Sequence, residues 1–396
     1  MPIQDDALTA LDEFKIELPS WGFADTGTRF GKFHQKAAAR TTAHKFHDAG
    51  LVHKLTGACP TVAVHVLWDF DVSQATETAG AETKKLAESH GIAVGSINPN
   101  IFQDQQYKLG SFCSPDAAAR KSAVDHTLYS VELMKHTGSD LLSMWLADGT
   151  NYPGQDNIVA RKRRLEDGLK TVHDALPSDG TMLVEYKPFE PAFYHTDIAD
   201  WGMAAAFSRK AGKQAKVLVD TGHHLPGCNI EHIVSFLLDD DMLGGFHFND
   251  RKYADDDLTL GSIDPYAVFR IFSEIAQFAA DRNAEPAIAY MVDQSHNLKP
   301  KLEAMVQTVD QAQKLYLKAR LVDRKKLADA QAKGDITAAE ECLRDAYEKD
   351  VRPMLAEWRK GNGLPENPLA ELRTSGVIDR LAADRDTGEE VVSSYA

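Results

Sequence analysis

The amino-acid sequence predicts a closed (β/α)₈ barrel, or TIM barrel, followed by a C-terminal helical extension. Eight short apolar runs rich in β-favouring residues alternate with longer stretches that have the apolar spacing of amphipathic helices. Eight strand–helix repeats over ~290 residues suit a closed barrel better than an open parallel sheet. No Gly-x-Gly-x-x-Gly motif follows the first run, which counts against a dinucleotide-binding fold.

The predicted elements follow one another regularly, after a surface arm or helix at residues 1–15. The eight strands are predicted at residues 14–21, 61–68, 92–98, 141–146, 182–187, 216–220, 243–249 and 287–293. The helices between them are predicted at about residues 41–55, 74–90, 116–137, 156–176, 195–213, 229–240 and 264–282.

The tail from Lys299 onward is rich in Ala, Leu, Lys, Arg, Glu and Gln at helical spacing. It is predicted to hold the eighth barrel helix, two or three further helices to about residue 361, and a less regular end from Leu364 to Ala396. The chain therefore divides into a catalytic barrel, residues 1–320, and a helical extension, residues 321–396. Because such an appendage has no core of its own, we expect the extension to serve subunit association.

Composition and charge exclude several classes of protein. The 396 residues are 43% hydrophobic, enough for a large core, yet no apolar run reaches the ~20 residues of a membrane span. The formal charge of −15 repels phosphate backbones, so nucleic acid is not an expected partner. The four scattered cysteines form no Cys-x-x-Cys pair, and the first residues do not resemble a secretory signal. These features predict a cytoplasmic protein with reduced thiols.

Polar side chains are concentrated at the ends of predicted strands five to eight. In such a barrel the carboxyl ends of the strands face a common mouth, where catalytic residues from several strands meet. A single strand-end aspartate is more often a helix cap, and three consecutive aspartates alone are typical of a solvated turn. Here, however, each of four successive strand ends supplies a carboxylate or histidine: Glu185, Asp220 with His223, His247 with Asp255 and Asp257, and Asp293.

The pattern as a whole predicts a site for divalent cations. So many converging carboxylates would repel one another in a partly buried mouth unless cations compensate them. Carboxylates with some imidazole and no thiolate favour Mn²⁺, Mg²⁺ or Co²⁺ over a structural zinc. Seven candidate ligands exceed the needs of one octahedral ion, so two neighbouring ions that share a carboxylate fit better. Asp255 and Asp257 are predicted to face the same side, and Asp256 to point away.

Three long motifs lie at the last predicted strand ends: Val-Asp-Thr-Gly-His-His at 219–224, Gly-Gly-Phe-His-Phe-Asn-Asp-Arg-Lys-Tyr-Ala-Asp-Asp-Asp at 244–257, and Met-Val-Asp-Gln-Ser-His-Asn at 291–297. They closely resemble the bacterial L-rhamnose isomerases of broad sugar specificity, which belong to the xylose-isomerase-like barrels. The likeness covers about Leu18 to Tyr316. Residues 34–44 depart from the family pattern near the expected mouth, which leaves the preferred sugar open.

The resemblance implies two metal sites that share one carboxylate. The first would be formed by Glu185, Asp220, His247 and Asp293. The second would be formed by Asp220, His223, Asp255 and Asp257. Two divalent cations per subunit are therefore expected, with Mn²⁺ as the first choice and Mg²⁺ or Co²⁺ as alternatives.

The resemblance also implies how a sugar is held. Lys187 would contact a substrate oxygen and help to polarise C1. His65, backed by Asp69, would bind the region of the ring oxygen and assist ring opening. A homotetramer is the expected assembly. Four aromatic residues would line the sugar site, the last of them inserted from a neighbouring subunit: Trp21, Trp68, Trp145 and Phe30.

The predicted function is metal-dependent aldose–ketose isomerisation of L-rhamnose to L-rhamnulose, with activity on other aldoses. Hydrogen would move between C2 and C1 either as a metal-assisted hydride shift or through an enediol with a carboxylate base. Aromatic walls that exclude water favour the hydride route.

Three other functions are weighed against this one. A sugar epimerase on the same barrel is the main alternative, although such sites typically use one metal and a pair of glutamates. A metal-dependent hydrolase would need more histidines at the mouth and a basic groove, which the acidic charge disfavours. An inactive barrel that only binds sugar or metal is disfavoured because every candidate ligand is present.

Overall fold

The computed structural model describes residues 3–25, 27–28, 31–190, 193–253 and 255–386 of the chain. The centre of the molecule is a sheet of eight parallel strands whose order in space equals their order along the chain. Backbone hydrogen bonds between Glu17 and both Tyr290 and Val292 join the first strand to the last. The predicted (β/α)₈ barrel is therefore confirmed. The strands are β1 Leu18–Pro19, β2 Thr61–His65, β3 Ala93–Asn98, β4 Leu141–Met144, β5 Thr181–Glu185, β6 Ala215–Asp220, β7 Leu243–Phe248 and β8 Ala289–Val292.

Helices cover the outside of the barrel and continue beyond it. Within the described residues, no helix combines the length and the apolar character that crossing a membrane requires. The helices up to the last barrel helix are α1 Ile3–Glu13, α2 Thr42–Thr56, α3 Val66–Asp69, α4 Thr76–Ser89, α5 Ala117–Thr137, α6 Ile158–His173, α7 Trp201–Ala211, α8 Ile230–Asp239, α9 Pro265–Arg282 and α10 Lys301–Arg320. The C-terminal helices are α11 Arg324–Ala332, α12 Ile336–Glu348, α13 Arg352–Gly361, α14 Pro368–Thr374 and α15 Val377–Arg385.

Several strands are shorter than the apolar runs that predicted them, mainly at the mouth. The first run is reduced to two residues of strand followed by a 3₁₀ turn, Ser20–Phe23. The second run changes after His65 into the short helix α3. Trp145 and Lys187, predicted inside strands, follow the ends of β4 and β5. These mouth residues therefore lie on turns and loops whose direction strand alternation does not determine.

The C-terminal helices share the core of the barrel. Leu327, Leu355, Leu372 and Leu381 are buried and belong to the same apolar cluster as the barrel helices. The extension therefore does not form a separate core; its buried leucines pack against the barrel within one chain. Its role in subunit association stays a prediction.

The end of the chain is more regular than predicted, because helices α14 and α15 form beyond Leu364. The Asn367 side chain accepts a hydrogen bond from the Ala370 N–H, and Pro368 occupies the first turn of α14. An asparagine cap followed by proline is a helix-start signal, so this helix was detectable in the sequence.

Candidate metal and sugar site

Ligands from successive strands meet in one layer inside the mouth of the barrel. Leu183, Leu218 and Met291 pack together as a buried apolar layer. Because every second side chain of a strand points to the same face, the positions two residues further on extend this interior toward the mouth. Those positions are Glu185, Asp220 and Asp293.

His247 joins this layer from β7. Its neighbours Phe246 and Phe248 are buried on the outer face, where the rings of Phe248 and Phe272 of α9 lie 5.3 Å apart between centroids. The alternation of side chains along the strand therefore directs the imidazole inward.

The spacing of these four ligands fits one divalent cation. Each offers a ligand atom within 4.8 Å of the others. His247 Nδ1 lies 3.2 Å from Glu185 Oε1, 3.9 Å from Asp293 Oδ2 and 4.0 Å from Asp220 Oδ2. Donors around an octahedral ion with bonds of about 2.1 Å lie about 3 to 4.2 Å apart. We name Glu185, Asp220, His247 and Asp293 the first metal group.

Neighbouring hydrogen bonds orient two of its carboxylates. Asn249 Nδ2 donates to Asp220 Oδ1 at 3.0 Å, and the Gly222 N–H donates to the same oxygen at 2.7 Å. The indole N–H of Trp21 donates to Asp293 Oδ1 at 2.8 Å. Contacts of this kind set the direction of a metal ligand. Trp21 thus has a polar contact in addition to the apolar wall that was predicted for it.

A second group of candidate ligands shares Asp220 with the first. His223 Nε2 lies 2.8 Å from Asp255 Oδ1 and 4.0 Å from Asp220 Oδ2. His223 Nδ1 lies 3.1 Å from the Tyr186 carbonyl oxygen, and a hydrogen bond donated there leaves Nε2 free to bind a metal. We name Asp220, His223, Asp255 and Asp257 the second metal group.

Asp255 and Asp257 line the cavity, but Asp256 between them does not. Asp257 lines the cavity and has a φ of 48°, a left-handed conformation that is uncommon outside glycine and concentrates at functional sites. Asp256 instead accepts hydrogen bonds from the backbone N–H groups of Lys252 and Tyr253, at 2.5 and 2.7 Å. It therefore points away from the cavity, as its place between Asp255 and Asp257 predicted.

Several of the candidate ligands have raised pKa values in the absence of a cation. Burial raises the pKa of Asp220 to about 7, and burial with nearby carboxylates also raises the pKa of Asp257. Burial alone would lower the pKa of His247, but the charge and hydrogen bond of Glu185 raise it to about 9. A cation that binds here must replace these protons.

Lys187 is buried at the rim between two carboxylates. Its Nζ donates to Glu190 Oε2 at 2.8 Å and also to Asp255, and it lies 5.4 Å from the centroid of the Trp145 ring. Burial lowers the pKa of Lys187, but the charges of Asp255 and Glu190 outweigh it and raise the pKa above its ordinary value. The ammonium group therefore stays charged at neutral pH. Glu190 was not predicted, although its spacing of three residues from Lys187 is a usable signal.

His65 lines the cavity, but Asp69 does not support its ring. Burial, and then the charge of Lys45, lower the pKa of His65 to about 3, so the imidazole is neutral at physiological pH. Asp69 Oδ1 accepts from Lys45 Nζ at 2.8 Å. Asp69 Oδ2 accepts from Ser20 Oγ at 2.6 Å and from the His65 N–H at 2.9 Å. Asp69 thus supports the His65 backbone, which corrects the predicted pairing, because helix α3 turns its carboxylate away from the ring.

Aromatic side chains form the remaining wall of a cavity of about 260 Å³. Phe102 also belongs to this wall and was not predicted, because it lies on the loop after β3, where no sequence pattern sets its direction. Its ring centroid lies 5.0 Å from that of Trp145 and 5.8 Å from that of His65. Phe30 lies outside the described residues. The predicted aromatic residues that line the cavity are Trp21, Trp68 and Trp145.

Asp148, which follows β4, serves the fold. It accepts hydrogen bonds from the Ser111 N–H and hydroxyl and from the Cys113 N–H, at 2.7 to 2.8 Å. Asp148, Cys113 and Asp197 place possible ligand atoms close together, but Arg161 already pairs with Asp197 at 2.7 Å. The group is therefore a neutralised network and not a second candidate metal centre.

Comparison with known proteins assigns this architecture to a family. Residues 61–284 match the family described as "Xylose isomerase-like TIM barrel". The chain belongs to this family. It is 39% identical over 388 residues to a "probable sugar isomerase" of Mesorhizobium japonicum, which covers 96% of this chain and 88% of that protein. It is 40% identical over 391 residues to a "probable sugar isomerase" of Rhizobium meliloti, with 97% and 89% coverage.

Two solved structures show the same fold at low sequence identity. A D-psicose 3-epimerase crystallised with D-fructose superposes with a TM-score of 0.50 and 14% identity, covering 79% of this chain and 99% of that one. The 3-keto-D-glucoside 4-epimerase of E. coli superposes with a TM-score of 0.52 and 13% identity, covering 76% and 98%. At such identities the likeness concerns the fold alone.

Proposed function

We propose that this chain is a metal-dependent sugar isomerase that interconverts an aldose and its ketose. L-Rhamnose and L-rhamnulose are the predicted pair, and other aldoses are expected substrates. The observation that carries the proposal is buried Asp220, which two ligand groups share beside a cavity with an aromatic wall. The relatives named as probable sugar isomerases support the reaction class. A homotetramer in the cytoplasm stays a prediction.

The donor set fits two divalent cations, for which we propose Mn²⁺. When bound, they would hold two adjacent sugar oxygens and supply Lewis acidity for the transfer of hydrogen between C1 and C2. Asp220 would serve both cations. The remaining ligands would be Glu185, His247 and Asp293 for the first, and His223, Asp255 and Asp257 for the second.

The residues around the cations would position the sugar. The charged Lys187 ammonium would donate to the oxygen on C1 and stabilise negative charge that develops there. Neutral His65 lines the cavity, where its imidazole would form a hydrogen bond with a sugar oxygen. The aromatic wall would exclude water, which favours a hydride shift over exchange through an enediol.

A sugar epimerase is the second candidate function, and one observation favours it. In the described part of the chain, only the first metal group has four ligand atoms within 4.8 Å of one another, whereas Asp255 of the second group pairs with Lys187. A single cation at the first group would suffice for an epimerase that moves hydrogen at one carbon.

The test is a panel of aldoses and ketoses, supplied to protein that has been stripped with a chelator and then reloaded with Mn²⁺. Product identity is read by NMR. We expect conversion of L-rhamnose to L-rhamnulose that disappears on chelation and returns with Mn²⁺. Interconversion of ketoses at C3 without aldose formation would establish the epimerase instead. No turnover of any sugar by metal-loaded protein would refute both.

A further inference from the structure

Helix α15 reaches from the C-terminal extension to helix α2 beside the mouth. Arg385, at its end, forms two hydrogen bonds of 2.7 Å with the carboxylate of Asp48 on α2. It also donates to the Ala37 carbonyl at 2.6 Å. The side chains of Arg385 and Asp48 are only 2% and 1% exposed. Removing one partner therefore leaves the other as an unpaired buried charge, which is strongly destabilising locally.

Helix α2 carries a second buried ion pair one turn before the first. Lys45 donates to Asp69 Oδ1 at 2.8 Å, and residues 45 and 48 lie on the same face of the helix because they are three apart. Asp69 in turn accepts from the His65 N–H and from the hydroxyl of the serine that precedes Trp21. Both His65 and Trp21 line the cavity. Two buried ion pairs on one face of α2, with the helix backbone between them, thus link Arg385 to the residues that hold the cavity wall.

The segment before α2, residues 33–41, is held at the mouth from both sides; we name it the entry segment. Gln35 Nε2 donates to the Lys299 carbonyl at 2.8 Å, in the loop that follows β8. The Ala39 N–H donates to the Phe23 carbonyl at 2.8 Å, at the end of the turn that carries Trp21. The contact of Arg385 with the Ala37 carbonyl lies between these two attachments.

We propose that Arg385 is a positioning residue for the sugar site, acting through Asp48 and α2 on the entry segment and on the wall formed by Trp21 and His65. Arg385 does not line the cavity, and neither metal group includes a residue of α2. Loss of the Arg385 side chain should therefore weaken sugar binding and leave cation binding unchanged. The kinetic consequence rests on the proposed isomerase function, whereas the structural consequence does not.

The test compares Arg385→Met with Arg373→Met. The control removes the ion pair between exposed Arg373 of α14 and Glu303 of α10, neither of which belongs to the entry segment. Hydrogen exchange read by mass spectrometry should become faster in Arg385→Met at residues 33–48 and 65–69, and stay unchanged in β5 to β8. The KM for the sugar should rise about tenfold with kcat nearly unchanged, the pattern expected when ground-state and transition-state binding are lost equally. Mn²⁺ affinity should not change, and Arg373→Met should resemble the native protein.

Arg385→Lys provides a milder variant should Arg385→Met fold poorly. Lysine keeps the charge but cannot form the two parallel hydrogen bonds, so an intermediate effect at the same residues is expected. Faster exchange confined to α15, a uniform rise over the whole chain, or an equal effect of Arg373→Met would overturn the proposal. A native protein without aldose turnover would refute the isomerase function alone, because the exchange pattern still decides the positioning role.

Discussion

The two halves of the barrel mouth differ in chemistry although they share one architecture. On the side of β5 to β8, the strand ends present the charged residues of the two metal groups. On the side of β1 to β4, the corresponding ends and loops present His65 and aromatic rings, among them Trp68, Phe102 and Trp145. Parallel strands that end at one rim thus place a polar wall opposite an apolar wall within a single cavity.

This contrast separates two tasks that one sugar site requires. The polar half is pre-set for cations because its carboxylates are buried and held in direction by neighbours such as Asn249 and Trp21. Under the proposed function, the apolar half would offer surface to the carbon skeleton of the sugar and exclude water. Changes in the polar half should therefore abolish metal binding, whereas changes in the apolar half should alter selectivity and leave the metals bound.

The largest effect is expected for Asp220→Asn. The variant removes the one carboxylate charge that both metal groups share, while its size and the Gly222 contact are retained. We expect loss of tight binding at both sites and a fall in kcat/KM of at least about 10³-fold, as the several kcal/mol supplied by the metal are lost. Mn²⁺ titration calorimetry and isomerase assays measure this. Trp145→Phe, in the apolar half, is the contrasting variant and should keep both cations.

The next largest effect is expected within the run of three aspartates. Asp255→Asn and Asp257→Asn each remove a ligand charge of the second metal group, and asparagine tolerates the left-handed backbone at position 257. Each should lower activity by about 100-fold or more. Asp256→Asn is the matched control and should keep most activity, because its amide oxygen can still accept from the backbone of residues 252 and 253. Equal losses in all three variants would mean that the side-chain directions are wrong.

A smaller, graded effect is expected of pH on metal affinity. The pKa of Asp220 is raised to about 7 and that of His247 to about 9, so both must release protons to a cation. Affinity for Mn²⁺ should therefore fall as pH decreases from about 9 to 6, by about tenfold per pH unit for each proton displaced. Binding measured in two buffers of different ionisation enthalpy gives the number of protons released. Affinity independent of pH over this range would contradict the burial of these groups beside one another.

The smallest effect is expected for Phe102→Ala in the apolar half. Loss of this ring should lower kcat/KM by about tenfold, a typical value for one apolar contact. It should also admit water, so more deuterium from D₂O should enter C1 or C2 of the product. Exposed Leu109, on the surface after the same loop, supplies Leu109→Ala as the control. Unchanged metal stoichiometry in both variants is part of the expectation.

Much of the polar half could be predicted because its ligands continue the alternation of buried strands. Glu185, Asp220 and His247 lie within the apolar runs that form β5, β6 and β7, and Asp293 follows β8 directly. The side that each residue faces is therefore set by the number of residues between it and a buried apolar residue on the same strand.

The other site residues and the packing of the C-terminal extension depend on contacts that the alternation of side chains along a strand does not encode. Phe102 and Glu190 lie beyond the ends of the barrel strands, where the connecting segments decide the direction of each side chain. Asp69 was misassigned because the short helix α3 replaces the end of a predicted strand. Leu372 and Leu381 pack against core residues that are distant in the sequence. The local sequence pattern therefore could not show that the extension shares the core of the barrel.

The central claim is that two cations share Asp220 in this mouth. It is tested most directly by the number of Mn²⁺ ions bound per chain, measured by equilibrium dialysis with elemental analysis on the native protein and on Asp257→Asn. We expect two ions in the native protein and one in the variant, with aldose–ketose activity only in the former. One ion in the native protein, unchanged in the variant, would contradict the account and favour a single-metal epimerase.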